Sequence, residues 1–243
     1  MPAVGKSELV RGTIDGGWLD ESSEWVVSYP DGRAGESMPL IVVLHGAQGF
    51  AGHAFDDNHG LGRFQNDVVA RTGRPFALAL VDGFRTLWFD REGGPQAQAL
   101  VTEGLFGVVE ELGLSTDRVA LYGWGTGGFG VLRLAIELGP DRVVGIGSLA
   151  PAIFPQWDFV PGYYQSEQEW QAHDPHRLID QLSEFPLRVD CGEGDPFASE
   201  VARFRSAFDP APEGAIDPGC RDYRYWHKKH PLMLEFLTDR LTS

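Results

Sequence analysis

Lysine is nearly missing from this chain. Of 20 basic residues in 243, only Lys6, Lys228 and Lys229 are lysines; the others are arginines. Acidic residues number 35, so the net charge is −15. That balance excludes a general electrostatic grip on nucleic acid or on an anionic membrane. Cysteine is scarce too. Cys191 and Cys220 are too few for a disulfide framework. No Cys-x-x-Cys or His-Glu-x-x-His spacing occurs, so neither a metal nor a cofactor is called for. No apolar run reaches the ~18 residues of a transmembrane helix. The first 18 residues lack the apolar stretch of a signal peptide, so a cytoplasmic location is expected. Repeats and low-complexity segments are absent as well.

What is present reads as one α/β unit over residues 1–243. A hydrophobic share of 42% is enough for a sizeable core. Glycine (31) and proline (16) are abundant, which implies many turns rather than long helical bundles. Residues 24–29 read as an early strand. Residues 39–46 form a continuous apolar run ending in Gly46, the mark of a buried parallel strand. Residues 61–73 place Leu61, Phe64 and Val68 on one helical face and stop at Gly73. A strand at 74–83 and a helix at 100–113 follow. Residues 118–128 read as strand, sharp turn and helix start. Further strands are expected at 142–150 and 186–192. The tail at 222–241 reads as a helix broken near Pro231. This alternation predicts a mostly parallel sheet covered by helices on both faces. Residues 151–185 have no strand pattern and carry several aromatics. They are expected to form a cap-like insertion beside the sheet.

The most informative motif is Gly-Trp-Gly-Thr-Gly at 123–127, between a strand and a helix. That context fits a nucleophile elbow, whose usual pattern is Gly-x-Ser-x-Gly. The flanking glycines let strand and helix backbones nearly touch. The central residue here is Gly125, which tolerates the strained turn but brings no attacking oxygen.

On these residues the chain resembles the esterase family of S-formylglutathione hydrolases and mycolyltransferases, most of all the small actinobacterial esterases. Residues 44–46, 75–83, 121–130, 150–152, 188–197 and 218–226 fall in the family's order, so the resemblance spans roughly residues 24–241. It implies an α/β-hydrolase fold. The family has Gly-Trp-Ser-Met-Gly-Gly-Tyr-Gly where this chain has Gly-Trp-Gly-Thr-Gly-Gly-Phe-Gly. Its acid motif survives as Gly194-Asp195-Pro196-Phe197. Its Pro-Gly-Gly-His-Asp becomes Pro218-Gly219-Cys220-Arg221-Asp222. Carried over by position, the nucleophile falls on Gly125, the acid on Asp195 and the base on Arg221.

An arginine has a pKa above about 12 and does not serve as a general base near neutrality. Ordinary serine-esterase chemistry is therefore not expected. The resemblance places oxyanion amides in the loop of His45, Gly46 and Ala47, and at Thr126. Two such amides with Arg221 would suit a carboxylate or other anionic ligand. Alternatively, Arg221 pairs with Asp195 only to plug a dead site. Trp88 and Trp124 are candidate pocket residues, and His45 is the candidate proton carrier. Cys220 is the candidate alternative nucleophile. His53, His59, Asp56 and Asp57 match no standard metal set and read as a solvated loop, as do His227 to His230 on a helix face.

Three functions remain open at this point. The chain is a pseudo-hydrolase binding a small molecule, or a repurposed non-hydrolytic enzyme using His45, Asp195 and Arg221, or a residual hydrolase using Cys220 or water. A small anionic ligand is the expected partner, with a protein partner as the alternative.

Overall fold

The computed structural model describes residues 7–47, 49–160 and 162–242. Eight strands form one sheet in the order β1-β2-β4-β3-β5-β6-β7-β8. They are β1 (Glu8–Ile14), β2 (Ser23–Tyr29), β3 (Leu40–Leu44), β4 (Ala77–Val81), β5 (Val119–Trp124), β6 (Val143–Leu149), β7 (Leu187–Gly192) and β8 (Ile216–Asp217). β2 pairs antiparallel with β1 and β4, and the other pairings are parallel.

Period-two alternation divides the side chains of the central strands between two cores. Leu40, Val42 and Leu44 of β3 enter one; Ile41 and Val43 enter the other. Both faces are covered, which is why β3 is apolar at every position. On one face lie α1 (Leu61–Thr72) and α8 (Tyr223–Leu241), contributing Leu61, Phe64, Val68, Met233 and Leu237. On the other, α2 (Ala97–Ala99) runs through a π-helical stretch, Leu100–Leu105, into α3 (Phe106–Glu111). Beside them are α4 (Thr126–Leu138) and α7 (Ala198–Ser206). Residues 151–185 hold two short α-helices, α5 (Glu167–His173) and α6 (Ile179–Leu182), a 3-10 turn at Pro175–Arg177, and no strand among the described residues. Phe154 and Tyr164 of this segment are buried, and the Trp170 indole donates to the Phe154 carbonyl.

Two sequence expectations need correction. α8 runs unbroken through Pro231. A proline costs one intrahelical bond, but burial of Met233, Leu234 and Leu237 on the sheet holds the helix together. Residues 227–230 are also solvated only in part: Lys228 is exposed and His227 half-buried, whereas the next two residues turn inward. Lys229 and His230 are 5% and 0% exposed. Lys229 Nζ reaches Asp190 Oδ1 at 2.9 Å and Asp217 Oδ2, while His230 Nδ1 contacts the Tyr122 hydroxyl. Burial of Lys229 is supported by carboxylates from β7 and β8, which lie far from it in sequence.

Candidate functional site

The centre of the sheet ends in a tight turn from β5 into α4. Gly125 occupies φ 60°, ψ −122°, a conformation that disfavours any side chain. Its N–H donates to the Leu149 carbonyl at 3.0 Å, and its carbonyl accepts from Ala152 N–H at 2.9 Å. The flanking glycines are steric necessities. A Cβ on Gly123 would overlap the Gly127 carbonyl, and one on Gly127 would overlap the carbonyls of Leu44 and His45. The turn therefore sits hard against the end of β3. Thr126 opens α4, so its N–H belongs to the first-turn amides that lack an intrahelical acceptor.

Asp195 follows β7, and its carboxylate is 1% exposed. Oδ1 accepts from the Phe197 N–H at 2.9 Å. Arg221, just before α8, brings its guanidinium to the same carboxylate. Nη2 donates to Asp195 Oδ1 at 3.2 Å and to the Ala150 carbonyl at 2.9 Å. Nε stands 2.9 Å from Asp195 Oδ2, an ion-pair contact without hydrogen-bond alignment. The Phe197 ring lies 5.0 Å beneath the guanidinium carbon. Three anchors thus hold one edge of the guanidinium. The remaining nitrogen, Nη1, lies 3.0 Å from where a Cβ on Gly125 would stand. A cleft of about 330 Å³ opens there, lined by Gly46, Ala47, Trp124, Gly125, Arg221 and Trp226 among others.

The sequence matches no protein-family model and no curated protein. Solved structures do match. A ferulic acid esterase superposes with a TM-score of 0.82 at 17% identity, over 98% of this chain and 99% of its own. An S-formylglutathione hydrolase from Agrobacterium tumefaciens gives 0.77 at 16% identity, over 99% and 98%. The Staphylococcus aureus fluorophosphonate-binding serine hydrolase FphF also gives 0.77 at 16%, over 96% and 99%. The chain has the α/β-hydrolase fold. The esterase resemblance and the mostly parallel α/β architecture expected from sequence are both borne out at that level.

Within this α/β-hydrolase fold the residues singled out from sequence separate into two groups. Gly46, Ala47, Trp124, Gly125 and Arg221 line the cleft, with Asp195 and the first residue of α4, Thr126, directly behind it. The Thr126 side chain is buried, and its hydroxyl has no partner among the described residues. Trp88 is not a lining residue. It is 1% exposed, packs against Gly83 and Gly130, and its indole donates to the His45 carbonyl at 3.1 Å. Cys220 is exposed beside Gly194, outside the cleft lining, and Cys191 is buried; both thiols are free. Burial pushes the Cys191 thiol up to about 12, so it is no nucleophile at neutral pH.

His45, expected as the proton carrier, has no spare ring nitrogen. Nδ1–H donates to the Gly46 carbonyl at 2.8 Å, and Nε2 accepts from Gly83 N–H at 3.0 Å. The ring is fully buried and holds the loop after β3 against the loop after β4. His59 departs from its reading as part of a solvated loop. It is 5% exposed and lines the cleft, stacked 5.1 Å from Trp226 and tilted against Trp124 at 4.9 Å. Tyr223 and Trp226 line it too, one helical turn apart on α8. That i, i+3 aromatic pair directly after Arg221 was the available sequence signal.

Desolvation by burial lowers both His45 and His59 from 6.5 to about 4. In the unfolded chain they titrate near the usual value, so the unfolded state binds protons first as pH falls. Their stabilising contribution is complete above pH 6.5 and is lost as pH falls through about 4. For the fully buried His45 this is on the order of 3 kcal/mol. Guanidinium unfolding midpoints should hold from pH 8 to 7, then drop steeply below pH 6. A midpoint that stays level down to pH 4.5 would contradict this account.

Proposed function

We propose that this protein is a non-hydrolytic member of the α/β-hydrolase fold that binds a small anionic ligand, a carboxylate above all. Gly125 stands at the position of the nucleophile and Arg221 at that of the base. The observation that carries the reading is the placement of Arg221 Nη1, 3.0 Å from the point where a side chain on Gly125 would begin. A fixed cation thus occupies the space an attacking hydroxyl would need. Its other edge is engaged by Asp195 and Ala150, so it cannot swing away cheaply. The Phe197 ring supports it from below. A carboxylate in the cleft would meet this cation and the positive end of α4. The reading of Arg221 as a mere plug is disfavoured, because the cleft beside it keeps about 330 Å³. Acid–base chemistry through His45 is disfavoured by the two hydrogen bonds that occupy its ring.

The test is titration calorimetry with short monocarboxylates on the wild type and on Arg221→Ala. Charged hydrogen bonds contribute about 1.5–3 kcal/mol, so the variant should bind at least tenfold more weakly. The wild type should release no product from activated short esters above the rate of a heat-denatured control. Equal affinity in the variant would sink the anion reading. Turnover that survives removal of any contaminating esterase would sink the non-hydrolytic one.

A further inference from the structure

A second cavity, of about 510 Å³, adjoins the cleft. That volume lies within the range of small-molecule sites. Leu19, Phe50, Phe84 and Pro95 provide its apolar wall, and Asp20, Glu21 and Arg85 are its charged lining residues. Two observations join it to the Arg221 cleft. Ala47 and Gly49 line both spaces. Phe50 of the cavity also meets His53 of the cleft edge-on, with ring centroids 5.1 Å apart.

The apolar wall is built rather than incidental. Phe84 adopts φ 50°, an uncommon conformation for a bulky residue, and so presents its ring edge-on to Phe50 at 6.5 Å. Phe50 remains 44% exposed, although most large apolar side chains of this protein are buried. The charges are equally informative. Two carboxylates against one guanidinium make this end of the combined site unfavourable for a second anion. The cleft end carries the anchored cation.

Resting on the anion reading above, we propose that both spaces hold one ligand, an amphiphilic monocarboxylate. Its carboxylate lies at Arg221 and its apolar body lies between Phe50 and Phe84. The protein discriminates by chain length at one end and by charge at both. Dicarboxylates of similar length are rejected at the Asp20 and Glu21 edge.

The experiment is calorimetric titration of the full chain with straight-chain monocarboxylates from acetate to octanoate, and with the dicarboxylate suberate. Each methylene buried should raise affinity by up to about fourfold until the cavity is filled. Suberate should bind at least tenfold more weakly than octanoate. Phe50→Ala and Phe84→Ala should each reduce the octanoate-to-acetate affinity ratio, with melting temperature recorded for both. Affinity independent of chain length, with acetate binding still dependent on Arg221, would overturn the apolar body and leave the anion reading standing. A chain-length gain that persists undiminished in Arg221→Ala would overturn the single-ligand link. No Arg221-dependent binding of any acid would overturn both readings. Equal affinity for suberate and octanoate would overturn the charge argument.

Discussion

Gly127→Ala is expected to remove a large part of the protein's stability. The added methyl would overlap the Leu44 and His45 carbonyls at the end of β3. These are backbone atoms of the sheet's centre, and Leu44 and His45 are 0% exposed. No side-chain rotation relieves such a clash; α4 must separate from β3. Losses of ~4 kcal/mol or more are the scale for steric faults of this kind, against a typical total stability of about 5–15 kcal/mol. Gly107→Ala supplies the control. It lies in α3 with nothing within 4 Å of the added carbon. There, alanine should stabilise by roughly 0.5–1 kcal/mol through helix propensity. Chemical unfolding of the two variants reads the contrast directly. Similar midpoints would mean that the close approach of α4 to β3 is wrong.

Lys229→Met should be the most damaging charge change. The Lys229 side chain is 7% exposed and that of Asp190 is 0%. Burial works to lower the lysine's pKa, but hydrogen bonds to Asp217 and Asp190 outweigh it and hold the pKa above the usual 10.5. Removing one partner of a buried pair costs about 3–5 kcal/mol, chiefly because the other charge is left uncompensated. Asp190 would retain Arg188 at 2.7 Å and the Ala215 N–H at 3.2 Å. The expected loss is therefore near the lower end, about 3 kcal/mol. Lys229→Met with Asp190→Asn should recover part of that loss, because the stranded charge is gone. A single variant as stable as wild type would mean that the network contributes nothing. Tyr225, which donates to Asp217 at 2.7 Å, ties the same cluster to the start of α8. The cluster thus fixes the helix that begins just after Arg221, so its loss should also loosen the cleft.

The architecture was legible because it depends on local periodicity. The apolar runs of β3, β4 and β5 announce strands buried on both faces, and the observed bounds fall within the expected ranges. The turn at Gly123 and Gly127 was legible for a different local reason: only glycine fits where two backbones touch. β1 and α7 went unread, because half-buried edge elements carry weak patterns.

What the letters could not convey was which distant groups meet. His59 looks like a loop residue until Trp124 and Trp226 arrive from β5 and α8 to enclose it. Lys229 and His230 look solvent-facing until Asp190, Asp217 and Tyr122 provide partners. The apolar cavity is assembled from residues 19–21, 47, 49, 50, 84–86 and 95, none of which forms a motif. The kinds of residue at positions 125, 195 and 221 are written in the chain. That the Arg221 guanidinium stands over Gly125, beside an open cleft, is decided by tertiary packing. Steric and periodic constraints act between neighbours in sequence; burial and charge pairing act between neighbours in space.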